Sequence, residues 1–275
     1  MAKLYNSKRP SKKEIHQLNQ LFKPLFWLND PVFFGAENIP DEGPVLFVGN
    51  HTLMGVWDAS IMWFKLYNEK EIFTYSLADR AHFNVPLWRD LGSKFGMVEG
   101  SRAVCTELMQ NKEYILVFPG GAREALKNKG EAYKLIWKNR VGFVKMAIKN
   151  NCTIVPFSAV GAEECYELIW DSKEILSSPL GILLKGLGVR KDMVIPLVKG
   201  VGMTPLPKPQ RFYYKFGAPI STADYLGQEE NTEVINALKA KVKVEIESGI
   251  EELIQYRAKD PNKNLFNRLV SQFFK

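Results

Sequence analysis

Residues 43–51 read GPVLFVGNH. Val45-Leu46-Phe47-Val48 is a short apolar run bounded by glycines, which predicts a strand buried on both faces. Such a strand belongs to a sheet covered on two sides by helices. The polar pair Asn50-His51 directly after it falls where open α/β sheets carry their sites, beyond the carboxyl ends of strands. Outward from this run, the pattern predicts a helix from Asp58 to Tyr67, a strand in EIFTYSL, a helix in SRAVCTELMQ and a strand in YILVF leading into PGGAREAL. A helix is expected over 131–149, a strand in NCTIVPFSAVG, a late strand in RFYYKFGAPI, a long amphipathic helix over 230–258 and a short one over 264–274. Pro156 sits mid-strand and lacks an N–H, so that strand is expected at a sheet edge or to carry a bulge. Strands alternating with helices give an α/β fold: one domain with a central, mostly parallel sheet flanked by helices. The chain divides into an N-terminal amphipathic segment at 1–28, a main domain at 29–258 and a C-terminal helix at 259–275.

The 275 residues, 46% hydrophobic and 24% charged, suit a folded domain and exclude low-complexity or coiled-coil chains. A net charge of +7 favours anionic partners: nucleic acid, anionic lipid, or phosphorylated and CoA-type ligands. Three scattered cysteines, Cys105, Cys152 and Cys165, make no disulfide framework and point to a reducing, cytoplasmic setting. His16, His51 and His82 have no zinc spacing, and no metal site is expected. Walker, GxSxG and dinucleotide signatures are absent, as are RNP-like, zinc-finger and helix-turn-helix patterns, which argues against nucleotide hydrolysis and nucleic-acid partners.

Chemistry concentrates in NHTLMGVWD, EGSRA and FPGGAREAL. His51 after a buried strand suits acid–base work, because an imidazole titrates near neutrality. Asp58 either caps the following helix or fixes the tautomer of His51. A fully helical 51–58 would hold the two about 10 Å apart, so pairing needs the turn that Gly55 permits. Gly120 and Gly121 free the backbone to offer N–H groups to an anion or oxyanion. Arg102 and Arg123 carry permanent planar charges suited to phosphate or carboxylate.

These blocks resemble the glycerolipid acyltransferase (lysophospholipid acyltransferase-like) superfamily over about residues 30–225, in the family's order. Asn50-His51…Asp58 is similar to its first block and Arg102 to the end of its second. Phe118-Pro119-Gly120-Gly121-Ala122-Arg123 is similar to its FPEGTR block, Ile154-Val155-Pro156 to its fourth, and GAPI at 217–220 to a later element. Two departures stand out: the His-to-Asp gap is two residues longer than the usual His-x-x-x-x-Asp, and Gly120 replaces the glutamate of the third block, with Glu124 downstream. The PGGAREAL form is more similar to the branch that acylates neutral alcohols such as mono- or diacylglycerol or phytol.

The resemblance implies acyl transfer from acyl-CoA or acyl-carrier protein, as co-substrate and with no bound cofactor, to a lipid hydroxyl. His51 would be the general base and Asp58 its orienting acid. Arg102, Gly120, Gly121, Arg123 and Glu124 would bind substrate. A lysophosphatidate-type acyltransferase is the alternative acceptor class, and a non-catalytic lipid-binding protein the alternative outside enzymes. Amphiphilic substrates call for a membrane surface as partner. No segment reaches the ~18 apolar residues of a spanning helix, so a peripheral, cytoplasmic association is expected. Three stretches could provide it or pack on the domain's own core. They are 12–28 with its preceding lysines and arginine, 179–216 with seven basic residues against Asp192 alone, and LFNRLVSQFF near the end.

Overall fold

The computed structural model describes residues 5, 9–55 and 57–274; Lys3 and Lys8 of the basic N-terminal run lie outside them. Helix α1 (Lys12–Asn29) leads into β1 (Val32–Phe34). A capping box at Ser11, whose hydroxyl accepts from the Glu14 amide while the Glu14 carboxylate takes the Ser11 amide, starts α1. Pro24 lies inside α1, which continues past it to a C-cap at Asp30 in the left-handed conformation. Next come β2 (Val45–Gly49), α2 (Trp57–Lys70), β3 (Thr74–Ala78), α3 (Pro86–Lys94), β4 (Met97–Glu99), α4 (Arg102–Gln110) and β5 (Tyr114–Val117). The short α5 (Gly121–Ala125) and α6 (Gly142–Lys149) precede β6 (Thr153–Val160). An excursion follows: β7 (Glu167–Trp170), α7 (Ser172–Leu176), α8 (Pro179–Gly186) and β8 (Leu197–Lys199). The chain closes with β9 (Tyr213–Phe216), α9 (Thr232–Lys259) and α10 (Leu265–Phe273).

Seven strands form one sheet in the order β1-β9-β6-β2-β5-β3-β4, and β7 pairs with β8 in a separate ribbon. The pairs from β6 through β4 are parallel; β9 runs antiparallel to β6, and β1 is parallel to β9. All of β2 is buried. Its alternate residues feed two cores, Leu46 and Val48 on one face and Val45 and Phe47 on the other. That is why the run reads as continuously apolar rather than alternating. Helix α9 lies along β6 and β9, burying Ile235, Leu238, Val242, Ile246, Ile250 and Leu253 at helical spacing.

Of the two alternatives for the Pro156 strand the second is found, and the helix expected over 131–149 needs correction. β6 is interior, between β9 and β2, yet it contains Pro156. The Pro156 carbonyl accepts from the Gly217 amide at 2.8 Å, so this residue's backbone polar groups face β9 rather than β2. There the pairing is irregular: between the pairs Phe157–Phe216 and Ile154–Ile220, residues 155–156 oppose 217–219. The missing N–H therefore falls at a bulge. The helix expected over 131–149 exists only from Gly142. Carboxylates from outside this stretch take up its amides: Glu163 accepts from Tyr133 at 3.4 Å and Glu124 from Ile136 at 2.8 Å. Tyr133 and Lys138 adopt positive φ, which no helix permits.

The terminal helices are built into the domain. Ile15 is buried, and Phe22 and Phe26 pack against the core. Arg211 ties Asp30 at the end of α1 to Asp260 at the end of α9. α10 buries Arg268, whose guanidinium donates to the carbonyls of Asn262, Lys263 and Pro209, and it exposes Phe266, Phe273 and Phe274. Among the described residues no helix is long and apolar enough to cross a membrane.

Candidate active site

The loop after β2 carries His51 and is held almost entirely by side chains. Asn50 is fully buried, and its amide exchanges two hydrogen bonds with the Ala159 backbone, at 2.9 and 2.8 Å. It thus extends the β2–β6 pairing past the point where β2 ends. The His51 N–H donates to Glu124 Oε1 at 2.7 Å, and the His51 carbonyl accepts from Lys127 Nζ. Both backbone groups of the candidate base are clamped by side chains from the segment following β5. Lys127 is buried and forms a 2.9 Å ion pair with Glu163. The imidazole stacks on Phe118 with ring centroids 4.1 Å apart and planes 9° from parallel. On another side it rests against Gly55, where a Cβ would overlap the ring. Met54 and Gly55, at φ 63° and 57°, turn the chain between His51 and α2.

Burial, reinforced by the neighbouring Lys127 ammonium, lowers the His51 pKa to about 3. The imidazole is therefore neutral near pH 7, the protonation state a general base requires. Asp58 lies in the first turn of α2, 2% exposed, and burial raises its carboxyl above the usual range. No hydrogen bond joins Asp58 to His51 among the described residues. Instead His51 Nδ1 and Asp58 Oδ1 are each buried without a partner. The turn expected at Gly55 is present; the expected dyad is not formed in this conformation.

Of the third-block residues, Gly121 donates its N–H to the Phe118 carbonyl at 2.9 Å, closing a turn, so that amide is not free for an oxyanion. A Cβ on Gly120 would overlap the Glu124 carboxylate. Glu124 therefore occupies the space that a side chain at 120 would need. It is 0% exposed, with its two oxygens on the His51 and Ile136 amides. The expectation that Glu124 binds substrate is replaced by a role as a backbone brace. Arg123 Nη2 donates to both carboxylate oxygens of Glu131, at 2.7 and 2.8 Å, while its Nη1 is buried without a partner.

Arg102, expected to bind substrate, is exposed. It stands at the first residue of α4, behind the N-cap Ser101. It lines an open groove of about 500 Å³ together with Phe118, Pro119, Arg140, Gly142 and Lys145, among others. Phe118 thus has one role in the groove wall and another against the imidazole. Arg140 donates to the Pro119 carbonyl at 2.9 Å, bracing the Pro-Gly-Gly turn. Sequence reasoning missed Asn50 as an anchor, Lys127, Glu163 and Arg140. Their only signal was charge or amide in segments expected to be regular or solvated. Among the described residues no cluster of His, Cys, Asp and Glu is arranged to hold a metal ion. The three cysteines are buried thiols, with Cys105 pushed up to about 11 by burial.

Residues 31–160 match the family model described as Acyltransferase. Phytyl ester synthase 1, chloroplastic, of Arabidopsis thaliana is 35% identical over 254 residues, covering 86% of this chain and 36% of that protein. The DGAT1/2-independent enzyme synthesizing storage lipids of Bos taurus is 34% identical over 122 residues, covering 44% of this chain and 36% of that protein. The chain thus spans little more than a third of the length of these curated relatives. Among solved structures, the 1-acyl-sn-glycerophosphate (LPA) acyltransferase PlsC of Thermotoga maritima superposes with a TM-score of 0.49 at 19% identity, over 88% of this chain and 78% of that one.

Proposed function

This chain belongs to the glycerolipid acyltransferase superfamily, and from that premise we propose that it transfers a fatty acyl group from a thioester to the hydroxyl of a neutral lipid alcohol. The observation that carries the proposal is an imidazole at the carboxyl end of a central strand, fixed through its own backbone and stacked on the wall of a basic groove.

In this reading His51 Nε2 accepts the hydroxyl proton as the alcohol oxygen attacks the thioester carbonyl. The tetrahedral intermediate collapses, the C–S bond breaks, and the departing thiolate takes the proton from the imidazolium. A positioned general base contributes typically ~10²–10⁴-fold. The Gly120 amide is the remaining candidate donor to the oxyanion, since the Gly121 amide is engaged. Asp58 completes the machinery if loop closure brings Oδ1 to His51 Nδ1, which would satisfy two buried orphans at once. Hydrogen bonds between catalytic groups commonly tighten only with substrate bound. The donor is acyl-CoA or acyl-carrier protein, and Arg102 and Arg140 supply cations for its phosphates, with Lys145 beside them paired to Glu230. A neutral acceptor fits the internal pairing of Arg123 and the glycine at 120, and it agrees with the names of the relatives above. The protein would work as a peripheral membrane enzyme.

Thiol release from palmitoyl-CoA is the test, with phytol, mono- and diacylglycerol and lysophosphatidate as acceptors. Release should depend on a neutral alcohol and fall at least ~10²-fold in His51→Ala. Release confined to lysophosphatidate would overturn the acceptor assignment. Release without any alcohol would make the protein a thioesterase.

A further inference from the structure

The excursion between β6 and β9 shows an unusual surface. α8 has the sequence PLGILLKG, yet only Gly181 of it is buried. Ile182 is 72% exposed, and Leu187 just beyond the helix is 70% exposed. Leu183, Ile195, Met203 and Leu206 also stand out by more than half. A helix apolar on nearly every side belongs in a core or against lipid, and apolar clusters of this extent are rare on the water-facing surface of soluble proteins. These side chains stand on α8 and on the loops that follow it.

The charge of residues 179–206 is predominantly basic. Residues 179–206 carry Lys185, Arg190, Lys191 and Lys199 against Asp192. Arg190 is paired with Asp79 and Asp192, and Lys199 with Glu167. Lys185 and Lys191 remain exposed beside the apolar residues, and Lys173 stands nearby on α7. Apolar side chains flanked by uncompensated lysines fit the boundary between acyl chains and anionic headgroups.

The root of the excursion reaches the candidate site. Glu163 pairs with Lys127, which holds the His51 carbonyl. The hydroxyl of Tyr166 accepts from the indole N–H of Trp57, next to Asp58. Residues Lys191–Met193 pack on α5, and Arg190 bridges to Asp79 after β3.

We propose that residues 179–206 form the membrane-docking surface of this protein, inserting the apolar residues of α8 and the loops that follow it into an anionic bilayer and setting the His51 loop at the lipid boundary. The inference rests on the acyl-transfer reading only for its purpose; the docking itself does not require the reaction.

The test is sedimentation of the full chain with vesicles of phosphatidylcholine containing phosphatidylglycerol, compared with Ile182→Ser/Leu187→Ser/Met203→Ser. These positions are exposed, so the melting temperature should be unchanged. The triple variant should bind at least about tenfold more weakly. Lys185→Gln/Lys191→Gln should bind more weakly to anionic vesicles, and its residual binding should depend less on salt. Thiol release with a water-soluble short-chain alcohol, measured in parallel, should be the same in the triple variant and the wild type. Wild-type vesicle binding by the triple variant overturns the inference, including the case in which Phe266→Ser/Phe273→Ser on α10 abolishes binding instead. Wild-type protein that ignores vesicles but self-associates through Ile182 and Leu187 overturns it as well. Vesicle binding lost in the triple variant, with no thiol release from any protein, keeps the docking surface and removes the acyl-transfer reading.

Discussion

His51 combines a protonation state with a position. Burial, and after it the Lys127 ammonium against its carbonyl, disfavour the imidazolium, so its pKa falls to about 3. The sign for catalysis follows directly: the base is lost only when it takes up a proton, and that happens well below its unperturbed value of 6.5. The acid limb of kcat/KM for the free enzyme should therefore lie below pH 5, with no fall of the limb between pH 7 and 6. A limb centred at 6–7 in a pH–rate profile would show His51 exposed, or already coupled to the Asp58 carboxylate. The candidate base itself was legible in the sequence, because a histidine after a buried strand has few structural duties. Its supports were not. Glu124 and Lys127 act on the His51 backbone, and backbone contacts leave no pattern in residue type or spacing. The same holds for Arg123, whose charge looked free until Glu131 was found eight residues on, across a turn.

At the scale of elements, the least regular stretch is the one that holds the site together. Residues 131–141 were expected to be helical, but two buried carboxylates from outside the stretch, Glu124 and Glu163, take up its amides and draw the backbone elsewhere. The sequence pattern could not show this, since Glu163 lies 30 residues beyond Tyr133. Pro156 gives the opposite lesson: its missing N–H correctly signalled an irregularity, and only the choice between edge and bulge needed the sheet. The Lys127–Glu163 pair is the pivot of the irregular stretch, being 1% and 5% exposed at the side chains. Replacing Lys127 by Met should cost about 3–5 kcal/mol of stability above neutral pH, because it leaves Glu163 charged with no cation and only the long Tyr133 hydrogen bond. Burial already raises the Glu163 pKa, and losing Lys127 raises it further. A carboxyl with a raised folded pKa contributes stability below its unfolded value of 4.5 and loses it as pH rises through the folded value. The deficit of Lys127→Met should thus be largest near pH 8 and shrink toward pH 5 in urea melts. A deficit independent of pH would mean that Glu163 is not the group left uncompensated.

Across the whole molecule, the order of strands and helices was readable because β2, β5 and β6 announce themselves as apolar runs punctuated by glycine and proline. What sequence left open was which amphipathic faces are spoken for. The apolar faces of 12–28, 179–216 and the C-terminal helix look alike as patterns, and the structure separates them by what they touch. α1 spends Ile15, Phe22 and Phe26 on the core and is locked at its end by Asp30–Arg211, whereas α8 spends almost nothing. Each large apolar side chain fully buried contributes roughly 1.5–3 kcal/mol. Three such residues, two of them partly buried, approach the ~5–15 kcal/mol that holds a whole domain folded. Removal of residues 1–29 should therefore abolish the cooperative thermal transition instead of releasing a soluble, folded domain from membranes. A truncated protein that melts cooperatively within a few degrees of the full chain would show α1 to be an appendage, returning it to the role of a detachable interfacial helix. The exposed faces of α8 carry no such burden, which is why their substitution can report on lipid contact without reporting on folding.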